Sequence, residues 1–284
     1  MISIQVVTGQ KSTTLIESDT LKNINNNRLS VQISLTGLSF LMTNSRNTEV
    51  LFFKDVSFDS DYNPSEILEE IKSILSEIEE SDLDFTTLTL IYATGIYTLV
   101  PKKLFDQSKA SEYLKFNSKI LANDFIANDA INMLDIVNVY VPLINVNNYF
   151  FDNYGEFSYY HATTVLLKHI LNDTLSIEKS VYINFQKDLI DILVFEDSRV
   201  VLSNSFIFKT SEDLIYYVLF TFEQLGIDPE KIKVKLMGNV KKDDPNYNIL
   251  YKYIRNILFY KSDSKKITIA ETEEHQNLIL KYIA

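Results

Sequence analysis

Few side chains in this sequence could do chemistry, and their spacing narrows what they could do. Cysteine is absent from all 284 residues, which removes thiol nucleophiles, disulfides and thiolate metal sites. His161 and His169 straddle the expected start of a helix, and His275 stands far from both. No carboxylate spacing around His161 and His169 completes a metal set or a catalytic triad, so both read as structural. Asp59, Asp61, Asn63 and Glu70 fall on positions 1, 3, 5 and 12 of a calcium-loop pattern, but position 6, which should be glycine, is Pro64. Gly9-Gln10-Lys11-Ser12 ends like a phosphate-binding loop and lacks its other glycines. No residue is therefore expected to be catalytic or to ligate a metal.

The elements that would position any site are easier to read. Leu29, Val31, Ile33 and Leu35 alternate with polar residues as in a half-buried strand, and Thr36-Gly37 turns the chain into Leu38 to Thr43. Val50 to Val56 completes a three-stranded meander. Asn63-Pro64-Ser65-Glu66 is a helix-start signal, followed by an apolar stripe through Ile67, Ile71, Ile74, Leu75 and Ile78. Thr87 to Ala93 reads as a buried strand, Ile96 to Pro101 and Val137 to Leu143 as further strands, and Phe157 to His161 as another before a helix capped by Thr163 or Thr164.

After a hinge-like connection at Leu175 to Lys179, the same order begins again. Val181, Ile183 and Phe185 alternate, Lys187-Asp188 turns, and Ile190, Ile192 and Val194 follow. Thr210 or Ser211 caps a helix, Leu214 to Leu225, whose nearly all-round apolar surface predicts packing on two sides. Ile232 to Met237 is the next buried strand. Asp244-Pro245 opens a helix with a stripe from Tyr247 through Leu250, Ile254, Ile257 and Leu258. The tail offers a strand, Ile267 to Ala270, and a helical turn around Leu278 to Tyr282.

Composition excludes several function classes. The net charge of −11, with 38 acidic against 27 basic residues and no basic patch interleaved with aromatics, argues against nucleic-acid binding. No stretch approaches the roughly 18 apolar residues of a membrane span, and MISIQVVTGQKSTT shows no basic-then-apolar leader pattern. The expectation is a cytoplasmic protein.

Three meander strands, a helix, a buried strand and a further helix make a ribonuclease-H-like unit, and two such units resemble the actin-like ATPase fold, particularly the branch containing PilM and FtsA. The expected fold class is α/β, with duplicated ribonuclease-H-like units and mixed sheets flanked by helices. Tyr97-Thr98-Leu99-Val100-Pro101-Lys102-Lys103-Leu104-Phe105, Glu112 to Phe116, Asn204-Ser205-Phe206, Glu212 to Tyr217 and Phe222 to Leu225 further resemble a family of uncharacterised proteins found chiefly in Bacteroidetes. The expected organisation is a weakly patterned segment over 1–28, a first unit over 29–175 and a second over 176–284.

The resemblance implies where a nucleotide site would lie. Actin-like ATPases hold Mg-ATP between their halves through Asp-x-Gly at the end of each unit's first strand, plus a Gly-Gly element near adenosine. Here the corresponding positions are placed at Ser34 and Thr36, with Gly37 nearby, and at Asn184 and Gln186, with the adenosine element reduced to Gly238-Asn239. Acid and glycine are missing from both pairs. The reading that follows is a non-catalytic adaptor or protein-interaction module with a degenerate nucleotide site and no cofactor. The alternative is a divergent ATPase or phosphotransferase binding Mg-ATP weakly, with Asp188, Asp191 or Asp197 serving the metal. PilM-type adaptors bind a peptide segment, so the expected partner is a protein or peptide, with Tyr97, Tyr159, Tyr160 and Tyr216 as candidate interface residues.

Overall fold

The structure, a computed structural model, describes residues 11–15 (backbone only), 26–46, 48–116, 118–173, 178–262 and 267–283. Gly9-Gln10, most of the 1–28 segment, and residues 174–177, on which the 175/176 boundary falls, lie outside the described residues. The chain divides into two compact units, one within 1–166 joined by 265–271 and 279–284, the other within 167–264 joined by 272–278.

The first unit carries a six-stranded sheet: β1 (Lys11–Leu15), β2 (Arg28–Ser34), β3 (Gly37–Thr43), β4 (Val50–Ser57), β5 (Thr87–Tyr92) and β9 (Ser158–His161), in the order β1-β4-β3-β2-β5-β9. The meander β2-β3-β4 is antiparallel, whereas β5 and β9 run parallel with β2 and β5. Helix α1 (Pro64–Glu80) starts as its sequence predicts: Asn63 Oδ1 accepts from the N–H groups of Ser65 (2.9 Å) and Glu66 (3.1 Å), and Glu66 Oε2 accepts from Asn63 N–H at 2.8 Å. Asn63, position 5 of the calcium-loop pattern, is thus engaged in a capping box with Glu66, and among the described residues no group of three acidic or histidine side chains could hold a metal.

The stripe Ile67, Ile71, Ile74, Leu75 and Ile78 is buried in one core with Val31, Phe40 and Leu90 of the sheet and with Val146 and Phe150 of α3 (Ile144–Tyr154). Each such side chain contributes about 1.5–3 kcal/mol by leaving water.

Between β5 and β9 the chain builds a small antiparallel sheet, β6 (Tyr97–Pro101), β8 (Ile136–Tyr140) and β7 (Ala127–Ile131), in the order β6-β8-β7. Helix α2 (Ala110–Lys115) packs on it through Ala110 and Leu114, against Val100, Val137 and Val139.

The second unit repeats the larger sheet. It comprises β10 (Ser180–Phe185), β11 (Leu189–Glu196), β12 (Arg199–Ile207), β13 (Lys233–Gly238) and β14 (Asn256–Phe259), in the order β12-β11-β10-β13-β14. The first three strands again form an antiparallel meander and the last two again run parallel. Both units therefore have one topology, that of a ribonuclease-H-like unit, and the fold is the α/β class the sequence predicts.

Helix α5 (Ser211–Gln224) has its cap at Thr210, whose Oγ1 accepts from Asp213 N–H at 3.1 Å while Asp213 Oδ2 accepts from Thr210 N–H at 3.0 Å. Its Leu214, Val218 and Phe222 join Val181, Ile183 and Leu236 in the core.

Several sequence expectations are corrected. Helix α5 is not packed on two sides, because Tyr216 and Phe220 are exposed. Helix α6 (Pro245–Tyr253) stops before Ile254, whose extended backbone (φ −121°, ψ 124°) leads into β14, so Ile257 and Leu258 belong to a strand paired with β13. Residues 267–270 form no strand. Helix α4 (Ala162–Asp173) begins ahead of Thr163 and Thr164, and the His161 ring takes the capping role, its Nδ1 accepting from Thr163 N–H at 3.2 Å. The expected helical turn near the end is α7 (Leu278–Ile283).

Candidate functional site

In the first unit, Leu35 and Thr36 form the turn between β2 and β3. Ser34 Oγ donates to Gly37 O at 2.9 Å, Thr36 O accepts from Phe58 N–H at 2.9 Å, and Leu35 O accepts from Tyr62 N–H at 2.7 Å. The hairpin is thereby closed on itself and on the chain after β4. A Cβ on Gly37 would stand 2.5 Å from Val56 O, so glycine is required here by the close approach of β4. Two residues further along β3, Ser39 Oγ donates to Asp55 Oδ1 at 2.5 Å. Burial raises the Asp55 pKa, partly offset by that hydrogen bond.

In the second unit, the first strand ends on Asn184, Phe185 and Gln186. Asp191 of β11 is fully buried, and its carboxylate takes Asn184 Nδ2 (2.9 Å) and Gln186 Nε2 (3.3 Å) on Oδ2 and Ser205 Oγ (2.5 Å) on Oδ1. Burial raises its pKa, and the three donors pull it back toward the carboxylate range. Gly238 follows with φ +79°, and a Cβ there would stand 2.1 Å from Phe185 O. Its N–H donates to His275 O at 2.8 Å, and Asn239 N–H donates to Phe185 O at 2.8 Å. The His275 ring stacks on Phe259 and its Nε2 donates to Val240 O at 2.6 Å, so the loop behind Gly238 is held by a residue absent from the sequence-based site.

Register fixes which positions correspond. Ser34 pairs with Gly37 and Ile33 with Tyr92, while Gln186 N–H meets Leu189 O and Phe185 pairs with Gly238. Ala93 N–H donates to Ile33 O as Asn239 N–H does to Phe185 O, and Phe58 N–H donates to Thr36 O as Phe208 N–H does to Asp188 O. Ser34 thus corresponds to Gln186 and Thr36 to Asp188. The two pairs named from the sequence, Ser34/Thr36 and Asn184/Gln186, stand two residues out of step with each other. The same register sets Ser39 opposite Asp55 and Asp191 opposite Ser205, one acid–hydroxyl pair with its members exchanged.

The acids considered for a metal do not converge. Asp188 lies at the β10–β11 turn and Asp197 at the β11–β12 turn, so the length of β11 separates them, about 25 Å at 3.3 Å per residue. Asp191 already accepts three side-chain hydrogen bonds.

A second buried polar cluster surrounds His161 in the first unit. Asp129 Oδ2 accepts from His161 backbone N–H (2.9 Å) and Oδ1 from the Tyr140 hydroxyl (3.1 Å). The ring's Nδ1 is occupied by Thr163 N–H, which leaves Nε2 as the donor to Thr94 O at 3.0 Å and fixes a neutral imidazole. Burial lowers the His161 pKa to about 3, against the smaller opposing effect of the Thr94 bond. Burial, followed by the Asp129 carboxylate, pushes the Tyr140 hydroxyl up. The imidazole is thus held within a buried network to which Asp129 and Tyr140 belong, two residues that gave no signal in the sequence.

The candidate interface tyrosines separate by burial. Tyr97 is 7% exposed and packs on the His161 ring at 4.7 Å, so it belongs to the core and offers no surface. Tyr159 is half-buried against Tyr92 and Phe157, Tyr160 is half-buried, and Tyr216 is 61% exposed beside Phe220. Among the described residues no helix is long and apolar enough to cross a membrane.

Comparison with solved structures shows the same fold elsewhere. A protein of Bacteroides thetaiotaomicron, described as having an actin-like ATPase fold and unknown function, superposes with TM-score 0.75 at 22% identity, over 91% of this chain and 95% of that one. The ethanolamine utilization protein EutJ of Carboxydothermus hydrogenoformans gives TM-score 0.50 at 7% identity, over 90% and 88%. A chain of the PilM–PilN type IV pilus biogenesis complex gives 0.50 at 10%, over 81% and 87%. A search of curated proteins returned no significant match. At these identities the fold alone carries over, and it is the actin-like ATPase fold. The family profile described as "Protein of unknown function (DUF3822)" matches residues 17–257, and the chain belongs to that family.

Proposed function

We propose that this protein is a non-catalytic interaction module on an actin-like fold, one whose nucleotide positions have been given over to holding its own hairpins together. The observation that carries this reading is Asp191, the acid nearest the second hairpin, whose oxygens are consumed by Asn184, Gln186 and Ser205. A metal ion would have to displace those donors from a buried carboxylate. In the first hairpin the turn carbonyls of Leu35 and Thr36 are already engaged by Tyr62 and Phe58. The fold is also found in a chain of a PilM–PilN complex, so it is compatible with holding another protein. Half-buried Tyr160 and exposed Tyr216 supply the ring surface that protein interfaces favour.

The test is a thermal melt with and without Mg-ATP, beside an assay for phosphate release. A ligand at 100 times its Kd stabilises a fold by about 2.7 kcal/mol, and no upward shift and no hydrolysis are expected here. A clear shift that disappears in Asn184→Ala would overturn the reading in favour of a rewired ATPase. Recovery of the endogenous protein with a stoichiometric protein partner would support it, and recovery with bound nucleotide would sink it.

A further inference from the structure

The small sheet of the first unit ends in two tight turns that meet. Strand β6 runs into a short 3₁₀ helix, Lys102–Leu104, and the turn between β7 and β8 contains a second, Asn132–Leu134. Because Pro101 pairs with Ile136 across the sheet, the two turns stand side by side, with Lys102 N–H donating to Asp135 O at 2.7 Å and Lys102 Nζ to Asn132 Oδ1 at 2.9 Å. Helix α2 joins them: the Tyr113 hydroxyl donates to Leu104 O at 2.7 Å, and Phe116, three residues on and still helical in its backbone, lies on the same side of the helix as Tyr113.

What this end of the sheet shows to water is apolar and basic. Leu104, Phe116 and Met133 are 68%, 86% and 61% exposed. Exposed apolar residues scattered singly need no explanation, but three large ones brought together by the contacts above form a patch. Beside them in the chain stand exposed Lys102, Lys103 and Lys115, none of which forms an ion pair among the described residues. From Lys102 to Lys119 the chain carries five lysines against two acids, Asp106 and Glu112, in a protein whose net charge is −11. Asp106 is engaged by the N–H and hydroxyl of Ser108, and Asp135 is the one acid of the β7–β8 turn.

We infer that this end of the small sheet docks on an anionic lipid surface. The lysines favour an anionic occupant, and the shape favours one that yields. A rigid partner would need a separate pocket for each projecting side chain, whereas a headgroup layer gives way around all three. Lysines set among apolar side chains suit such a layer, because the apolar groups enter the boundary with the acyl chains while the ammonium groups lie among the phosphates. The acidic remainder of the chain does not cancel the attraction, since exposed charges more than about 8 Å apart are largely screened at physiological salt. This goes beyond the interaction-module reading and does not depend on it.

Flotation of the full chain with lipid vesicles tests the inference. At low salt the wild type is expected to float with vesicles of phosphatidylglycerol and phosphatidylcholine in equal parts, to remain unbound with phosphatidylcholine alone, and to be released as salt is raised. Lys102→Glu with Lys103→Glu, and separately Leu104→Ser with Phe116→Ser, should each weaken binding by at least about tenfold, with melting unchanged because all four side chains are exposed. Lys241→Glu with Lys242→Glu, at exposed lysines of the second unit, should leave binding as it was. The chain contains no tryptophan, so Phe116→Trp supplies a single reporter whose emission should move to shorter wavelength on the anionic vesicles. A wild type that does not float with anionic vesicles, a loss no larger at the small sheet than at Lys241 and Lys242, or a tryptophan emission that does not move would each overturn it; a patch that binds an acidic protein instead would appear as the first of these.

Discussion

The two hairpins occupy one position in one topology and solve the same local problem with different groups. In the first, the acid sits on the outer meander strand and has one side-chain donor, Ser39. In the second, it sits one strand inward, where burial is complete, and it has gathered three. Position is preserved while residue type is exchanged, as expected when backbone register rather than a shared ligand fixes what must be satisfied. The deeper acid also needs more donors, since the cost of an unmet carboxylate rises as water is withdrawn. The difference identifies the second hairpin as the one whose integrity rests on its polar network.

That contrast makes the largest prediction. Asp191→Ala strands three donors in a dry site and is expected to cost about 3–5 kcal/mol, whereas Asp55→Ala strands one and should cost about 1–2 kcal/mol. Urea denaturation of both variants decides it. Equal losses would mean that the two acids do equivalent work and would remove the asymmetry.

Gly238 sharpens the comparison, because its counterpart in the first unit is Tyr92. At φ +79°, with Phe185 O only 2.1 Å from where a Cβ would stand, Gly238→Ala is expected to lose at least about 2 kcal/mol. Gly226, also left-handed at φ +60° but facing open space, should lose only about 1 kcal/mol as alanine. Similar melting temperatures for the two variants would show that the loop behind Gly238 yields easily, and that His275 does not pin it.

Much of this framework was legible in the residues. The alternation of Val181, Ile183 and Phe185 and the box at Asn63-Pro64-Ser65-Glu66 are local signals, and local physics decided both. What escaped was decided by contacts distant in sequence. The stripe through Ile254, Ile257 and Leu258 suits a helix as well as a strand, and pairing with β13 selected the strand. Thr163 and Thr164 are better caps by type than histidine, yet His161 is fixed by Thr94 and Asp129 and lies where the helix begins. The two-residue slip between the hairpins arose because Ser34, Thr36, Asn184 and Gln186 are all small or polar, so no side-chain pattern marks register there. The network around Asp191 was invisible for a related reason, since an acid near a turn ordinarily faces water.

Acid titration separates the buried histidine from the two buried acids by sign. His161, with a folded pKa near 3 against 6.5 for the free group, is neutral when folded and protonated when unfolded between those values. The unfolded state then binds the extra proton, so stability is lost as pH falls below 6.5, by up to about 1.4 kcal/mol per pH unit. Asp55 and Asp191 act oppositely: their pKa values are raised in the folded state, so the stability they lend is present at low pH and lost as pH rises through those values. His161→Gln should therefore lose less stability on acidification than the wild type, measured as the difference between their urea midpoints from pH 7 to pH 4. Parallel curves would show that the imidazole can be protonated in place.

The smallest effect is expected on the outside of the second unit, where the aromatic supply faces solvent instead of a core. In the first unit Tyr92, Tyr97 and Tyr140 are interior, with Tyr92 bonded to Asn147 at 2.7 Å and Tyr140 to Asp129. In the second, Tyr216 and Phe220 stack on each other at 6.0 Å on the exposed face of α5, and Tyr216 is not among the core residues of that unit. Its truncation removes little buried area, so Tyr216→Ala should alter stability by no more than about 0.5 kcal/mol. If α5 presents this ring to a partner, the same substitution should abolish recovery of a bound chain while leaving the melt in place. A substitution that lowered the melting temperature by the amount of a core truncation, or that left partner recovery untouched, would return Tyr216 to the scaffold and remove the exposed face of α5 from the interaction surface.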